Sequence, residues 1–344
     1  MAYTDIDNPE LYFQAKAWTG TGNEIAITFD GSENMQPDWV WLKRRDASSI
    51  HVAHDSVRGA TKRLIPNASN EETTQAQYVK SFDSNGITFG TDTDVNNSGS
   101  AAILWGWKAG TSFSNDASST SIGSIDSAGS VTTDAGFSIV TFTGNSGGIA
   151  HGLGQKPDMV IIKPRNVSGS WIVTHKGLGA EMQDYYQFLD TTAAKATSND
   201  IWGGEPTSTT FSVSSSLIDS ANYVAYCFAE KKGYSKFGSY TGNNNANGTF
   251  VYTGFKPAYV MTKVTDTTDG WMIFDNKRNP HNVMDKYMTA NGTGGDSTRD
   301  SIDFVSNGFK LRVANTDCNN GTYIYMAFAE QPFVTSTGVP ATAR

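Results

Sequence analysis

Three times along the chain a short, largely apolar run follows a proline and closes on a lysine: "PDWVWLK" at Lys43, "PDMVIIK" at Lys163 and "PAYVMTK" at Lys263. Within these runs Val40, Val160 and Val260 hold one parity, while Trp39/Trp41, Met159/Ile161 and Tyr259/Met261 hold the other. Both faces are therefore apolar over a stretch too short for a helix, which predicts a central strand covered on both sides. A second pattern recurs downstream as "AAILWGWKAG", "YVAYCFAE" and "YIYMAFAE". Its large residues (Trp105/Trp107, Tyr226/Phe228, Met326/Phe328) share one parity, and in the second stretch Ala225, Cys227 and Ala229 take the other. That asymmetry predicts a strand with one face in a core and the other against a close neighbour.

The copies align over most of the chain. Phe142-Thr143-Gly144 matches Tyr240-Thr241-Gly242, and Trp171 and Trp271 each stand eight residues after the shared lysine; a more diverged copy begins at Trp18-Thr19-Gly20. Asn-Gly pairs at Asn85, Asn247, Asn291, Asn307 and Asn320 suit tight hairpin turns. No sustained 3.6-residue period exists; at most a helical turn or two is expected around Thr191 to Thr197 or Pro280 to Met288. The predicted fold is all-β, with three related antiparallel β-sandwich-like units of about 100 residues each.

The expected organisation is an N-terminal arm (1–12), unit one (13–109), a Ser/Gly/Thr-rich linker (110–136), unit two (137–232), unit three (233–334) and a C-terminal tail (335–344). Units two and three, joined through "KKGYSK", are expected to form a stiff pair with unit one displaced or packed through another surface. The two arms are expected to order only on a partner.

Composition narrows the function classes. Net charge is −8, with 26 Lys and Arg against 34 Asp and Glu, so no large positive field exists to attract nucleic acid. No stretch approaches the roughly 18 apolar residues of a membrane span, and the start lacks a signal-peptide pattern. Cys227 and Cys318 lie in different units without a Cys-x-x-Cys, and Cys227 reads as a small buried thiol.

Candidate chemistry is sparse. His151, in "AHGLGQKP", reads as a turn residue, and its counterpart in unit three, "VYTGFKP", has no histidine. Lys43, Lys163 and Lys263 are expected to lay their stems over a sheet edge with the ammonium in water. Twelve residues past each lysine stand Asp55, His175 and Asp275, and three further on Arg58, Leu178 and Arg278. The Asp-x-x-Arg pairs fit either a charge-assisted loop clamp or a polar rim that reads a sugar or a protein. Asp55, Arg58, His175, Asp275 and Arg278 are accordingly candidate surface-recognition residues. Trp202, in "NDIWGGEP", has no counterpart in the other units and is the candidate exposed aromatic platform, whereas Trp171 and Trp271 read as core anchors. The Asp/Asn-rich "GTDTDVNNSG" and "TGNNNANG" lack the spaced acidic ligands of an EF-hand and read as turns. No catalytic residues, metal site or cofactor are expected.

The combination "GFSIVTFTGN…HGLGQKPDMVIIKPR", "YVAYCFAEKKGYSKFGSYTGN", "GFKPAYVMTKVTD" and "SIDFVSNGFKL…YIYMAFAE" resembles an uncharacterised family of virion proteins of marine tailed bacteriophages. The resemblance spans nearly the whole chain and is weakest in unit one. It implies a structural protein on the particle surface, assembled in the host cytoplasm: a tail-fibre-like or tail-appendage component contributing to host recognition, or alternatively a capsid decoration. The implied partners are other virion proteins and a host-surface glycan, without nucleic acid or membrane insertion, in a homo-oligomer expected to be a trimer.

Overall fold

The computed structural model describes residues 3–144, 146–198, 200–217 and 220–341. The fold is all-β and antiparallel. One four-strand order, opening–final–central–hairpin, occurs three times. The opening strands are Phe13–Thr19, Phe137–Thr143 and Ser235–Thr241, and the final strands are Ala101–Trp107, Asn222–Phe228 and Thr322–Pro332. The central strands are Trp39–Arg44, Met159–Pro164 and Phe255–Val264, followed by the hairpin strands His51–Asp55, Ile172–His175 and Trp271–Asp275. The register recurs as well. Trp39 lies opposite Trp107 and Asp55, Met159 opposite Phe228 and His175, and Tyr259 opposite Phe328 and Asp275.

Each main sheet is faced by three short strands. Ile25–Ile27, Gly86–Phe89 and Val79–Asp83 face the first; Gly147–Ala150, Thr210–Val213 and Trp202–Gly204 face the second; Phe250–Tyr252, Gly308–Leu311 and Ser297–Val305 face the third. In the third sandwich Met284–Thr289 joins the two layers into one rolled sheet. The hairpin behind Ile27 shows why glycine follows Asn85: Gly86 has φ +106°, and a Cβ there would stand 2.0 Å from the Ile27 carbonyl oxygen.

Alternating parity divides the apolar residues between two kinds of core. Inward residues of all three main sheets form a single cluster that includes Trp39, Trp107, Tyr226, Phe228, Tyr259 and Phe328. Outward residues fill three separate cores against the short strands, with Val40 and Leu104 in the first, Val160 and Cys227 in the second, and Val260 and Ala327 in the third. The central strands are thus covered on both faces, and the small residues of the final strands lie in the outer cores. Trp39 stacks on Tyr226 with ring centroids 4.5 Å apart, and Phe13 stacks on Phe328 at 5.3 Å. Such pairs add about 0.5–1.5 kcal/mol each beyond their buried area.

Several expectations are corrected. The first sandwich is not displaced, because its tryptophans sit in the common core beside Tyr226 and Phe328. Residues 110–136 are not a loose connection: Thr111–Asn115 and Ser127–Thr132 pair in sequence onto Phe137–Thr143 and widen the second main sheet. Small residues suit that pairing, since a Cβ at Gly129 would meet the Ile139 carbonyl oxygen at 1.9 Å. No helix forms at 191–197, and Pro280 to Met288 instead leads into a strand. The arms lie on the body. Thr4 Oγ1 donates to the Lys232 carbonyl at 2.6 Å, and the Ser336 amide donates to Asp7 at 2.6 Å.

Candidate functional site

The residues singled out for recognition are buried. Asp55, His175 and Asp275 end the three hairpin strands at equivalent registers, and each reaches across to a neighbouring sandwich. Tyr226 Oη donates to Asp55 Oδ2 at 2.7 Å, Trp105 Nε1 donates to Asp275 Oδ2 at 3.1 Å, and His175 Nε2 donates to the Tyr325 carbonyl at 3.1 Å. First meets second, second meets third, and third meets first. Trp105, Tyr226 and Met326 occupy the same position of their final strands, opposite Trp41, Ile161 and Met261. Met326 has no donor for a carboxylate. Histidine at 175 fits this change, because its Nδ1 accepts from the Gly177 amide at 2.9 Å and leaves Nε2 to reach a backbone oxygen.

The arginines complete the clusters. Arg58 Nε donates to Asp55 at 2.5 Å and its Nη1 to Glu72 at 2.9 Å; Arg278 does the same to Asp275 at 2.5 Å and Asp296 at 3.0 Å. Burial opposes both guanidinium charges, yet the adjoining carboxylates outweigh it and hold both arginines more firmly protonated than usual. These are charge-assisted clamps with their lone pairs and protons used up within the protein. They cannot read a ligand. The surface-recognition assignment of Asp55, Arg58, His175, Asp275 and Arg278 is therefore corrected: these residues hold the sandwiches together.

A second ring of contacts runs the other way. Trp171 Nε1 donates to the Ile65 carbonyl at 2.9 Å, and Trp271 Nε1 donates to the Phe188 carbonyl at 2.9 Å. The position eight residues after Lys43 is His51, whose Nε2 reaches the Thr289 carbonyl at 3.1 Å while Trp41 donates to its Nδ1 at 2.8 Å. Each sandwich thus bonds to the one before it, and the ring closes.

The lysines depart from expectation too. Lys43, Lys163 and Lys263 are fully buried. Lys163 donates to the carbonyls of Pro164 (2.9 Å) and Ser69 (3.3 Å). Lys263 donates to those of Val264 (3.0 Å) and Thr192 (3.2 Å), and Lys43 to that of Arg44 (2.7 Å). Burial brings the pKa of each down to about 8. Burial likewise depresses His54 and His175 to about 3 and His151 to about 4. His151 accepts from the Leu153 amide at 3.2 Å, which is a turn contact.

Trp202 is corrected as well. It is 6% exposed and packs in the second outer core. Its short strand pairs with Thr210–Val213 through an irregular register, which turns the indole inward. The Asn-rich turns bond to each other: Asn319 Nδ2 donates to Asn243 Oδ1 at 3.1 Å and to the Asn245 carbonyl at 2.8 Å. Among the described residues no group of three His, Cys, Asp or Glu is placed to hold a metal ion.

What lies open are two grooves in segments that the recurring pattern does not share. One, of about 660 Å³, is polar and bounded by the 114–116 and 124–128 segments with Thr141, Arg165 and Asn222. The other, of about 540 Å³, lies between Tyr3, Tyr252 and Phe333 beside the junction of the second and third sandwiches. Tyr252 was legible as an outward residue, since Phe250 and Tyr252 flank Val251 in a three-residue strand.

A family model described as a domain of unknown function (DUF7483) matches residues 8–332, nearly all of the chain. No curated protein and no solved structure matches it.

Proposed function

The chain belongs to the DUF7483 family, and we propose that it is a non-enzymatic structural protein of a tailed-phage particle, exposed on the tail as a fibre-like or appendage component. The observation that carries this reading is the division of labour in the structure. Recurring polar residues are spent on two closed rings of contacts between sandwiches, while open grooves and arms lie in the segments that do not recur. A base locked in this way suits the display of variable loops to a host surface. The resemblance drawn from the repeated motifs supplies the phage setting.

Three-fold symmetry of a tail can be met in two ways, by a homotrimer or by one chain whose three main sheets surround one core. Cryo-electron microscopy of purified particles, with the protein located by a C-terminal tag and counted by mass, tests the proposal. Density on the tail is expected. Density on the shell would favour a capsid decoration, and absence from washed particles would sink the virion reading.

A further inference from the structure

Few large apolar side chains are exposed among the described residues, and two of them face one groove: Tyr3 is 63% and Tyr252 59% exposed. Large rings left in water beside a concave surface mark a contact site rather than packing. The cavity, about 540 Å³, lies within the roughly 300–1,000 Å³ of small-molecule sites.

The groove is built from four distant segments, which are fastened together. The Asp5 amide donates to the Lys232 carbonyl at 2.9 Å, which brings Tyr3 against the interdomain junction. The Phe333 amide donates to the Gly254 carbonyl at 3.1 Å and closes the other wall. Gly233, at φ +83°, leaves room for the Thr4 side chain, which a Cβ would strike at 1.6 Å. The rings are thus presented by backbone that is already tied down.

The second sandwich shows what this corner looks like when it is covered. Gly154 and Gly254 are equivalent, with φ +71° and +83°. Two residues earlier stand Gly152 and Tyr252. A Cβ at Gly152 would touch Val131 and Phe113, which belong to the added 111–132 segment. That segment covers the corner in the second sandwich. In the third no such segment intervenes, and a tyrosine stands there in the open.

The remaining lining decides the ligand. Glu230, Lys232, Ser235, Lys236 and Thr253 put charge and hydroxyls around the rings, which disfavours a purely apolar occupant. Two ammonium groups face one carboxylate, and that carboxylate is already engaged by Lys176 at 2.7 Å and Lys236 at 2.5 Å. On a chain of net charge −8 this groove is locally positive. A ligand with flat C–H faces for the rings, hydroxyls for the rim and a carboxylate for the lysines is an acidic sugar chain. We propose that the Tyr3–Tyr252 groove binds an oligosaccharide containing uronic acid residues, with the rings stacking on sugar faces and Lys232 and Lys236 meeting its carboxylates. This rests on the reading of the chain as a surface-recognition component.

Titration calorimetry of the purified full chain with a tetrasaccharide of galacturonic acid, and with neutral maltotetraose as the control, tests the site. Saturable binding of the acidic sugar is expected, weakening with added salt. Tyr252→Ala should lower affinity at least about tenfold, equivalent to about 1.4 kcal/mol, while Tyr252→Phe stays close to the parent. Lys232→Gln should weaken the acidic sugar and leave any binding of the neutral one unchanged. Thermal melting checks that each variant folds, and Tyr3→Ala gives an independent loss from the other wall. Absence of binding by the parent chain, equal binding of both sugars, or full affinity in both alanine variants would overturn the site. Those results leave particle localisation untouched, so the site can fail while the virion reading stands.

Discussion

The phenol of Tyr226 donates to Asp55 at 2.7 Å across 171 residues of sequence, and its ring lies 4.5 Å from Trp39. One side chain therefore joins the second sandwich to the first by stacking and by a hydrogen bond. Tyr226→Phe keeps the ring and removes only the donor. It should cost about 1–3 kcal/mol in urea denaturation, because Asp55 is left with less than its full set of partners.

Arg58→Met is expected to be more damaging, by about 3–5 kcal/mol, since it strands the buried carboxylate of Asp55. Adding Asp55→Leu should recover much of that loss, as an apolar pair can replace a buried ion pair. A near-neutral Arg58→Met on its own would mean that water reaches the cluster.

Trp202→Ala should destabilise the chain by about 3–5 kcal/mol, as expected for a large side chain removed from a core. Chemical denaturation measures this directly. Unchanged stability would restore the indole as a surface platform.

Stability should rise with pH in two windows. His54, His175 and His151 have folded pKa values of about 3, 3 and 4, below the ordinary 6.5, so the unfolded chain binds more protons as pH falls from 6.5. Their contribution is full above pH 6.5 and is lost as pH drops toward 4 and 3. Lys43, Lys163 and Lys263, at about 8 against the ordinary 10.5, follow the same sign between pH 8 and 10.5. Buried tyrosines such as Tyr226, whose pKa burial raises, oppose this gain above pH 10. Melting curves from pH 4 to 10 check both windows, and Lys163→Met should flatten the alkaline rise.

The parity of Val40, Val160 and Val260 made the strands and their two-sided burial readable, and the small residues of "YVAYCFAE" marked the outer face. The inter-sandwich bonds were hidden for a physical reason. Asp55 gives no local sign that its partner is Tyr226, because the register that aligns them arises only when three sheets share one core. The lysines misled because a closing lysine at a sheet edge and a lysine bonding two backbone carbonyls look alike in sequence. Trp202 misled because the absence of a counterpart says nothing about burial when each sandwich builds its short strands differently. At 110–136 the many small residues, read as having little to bury, are what lets strands approach closely at Gly129.

The contact from His51 to the Thr289 carbonyl joins residues 238 positions apart. During translation the first hairpin is made long before its acceptor, and its aromatic inner face has nothing to close against until the last third of the chain leaves the ribosome. Completion is therefore a late, all-at-once event, and a ribosome stalled before Thr289 would hold a sticky, unsealed product that invites chaperones or aggregation.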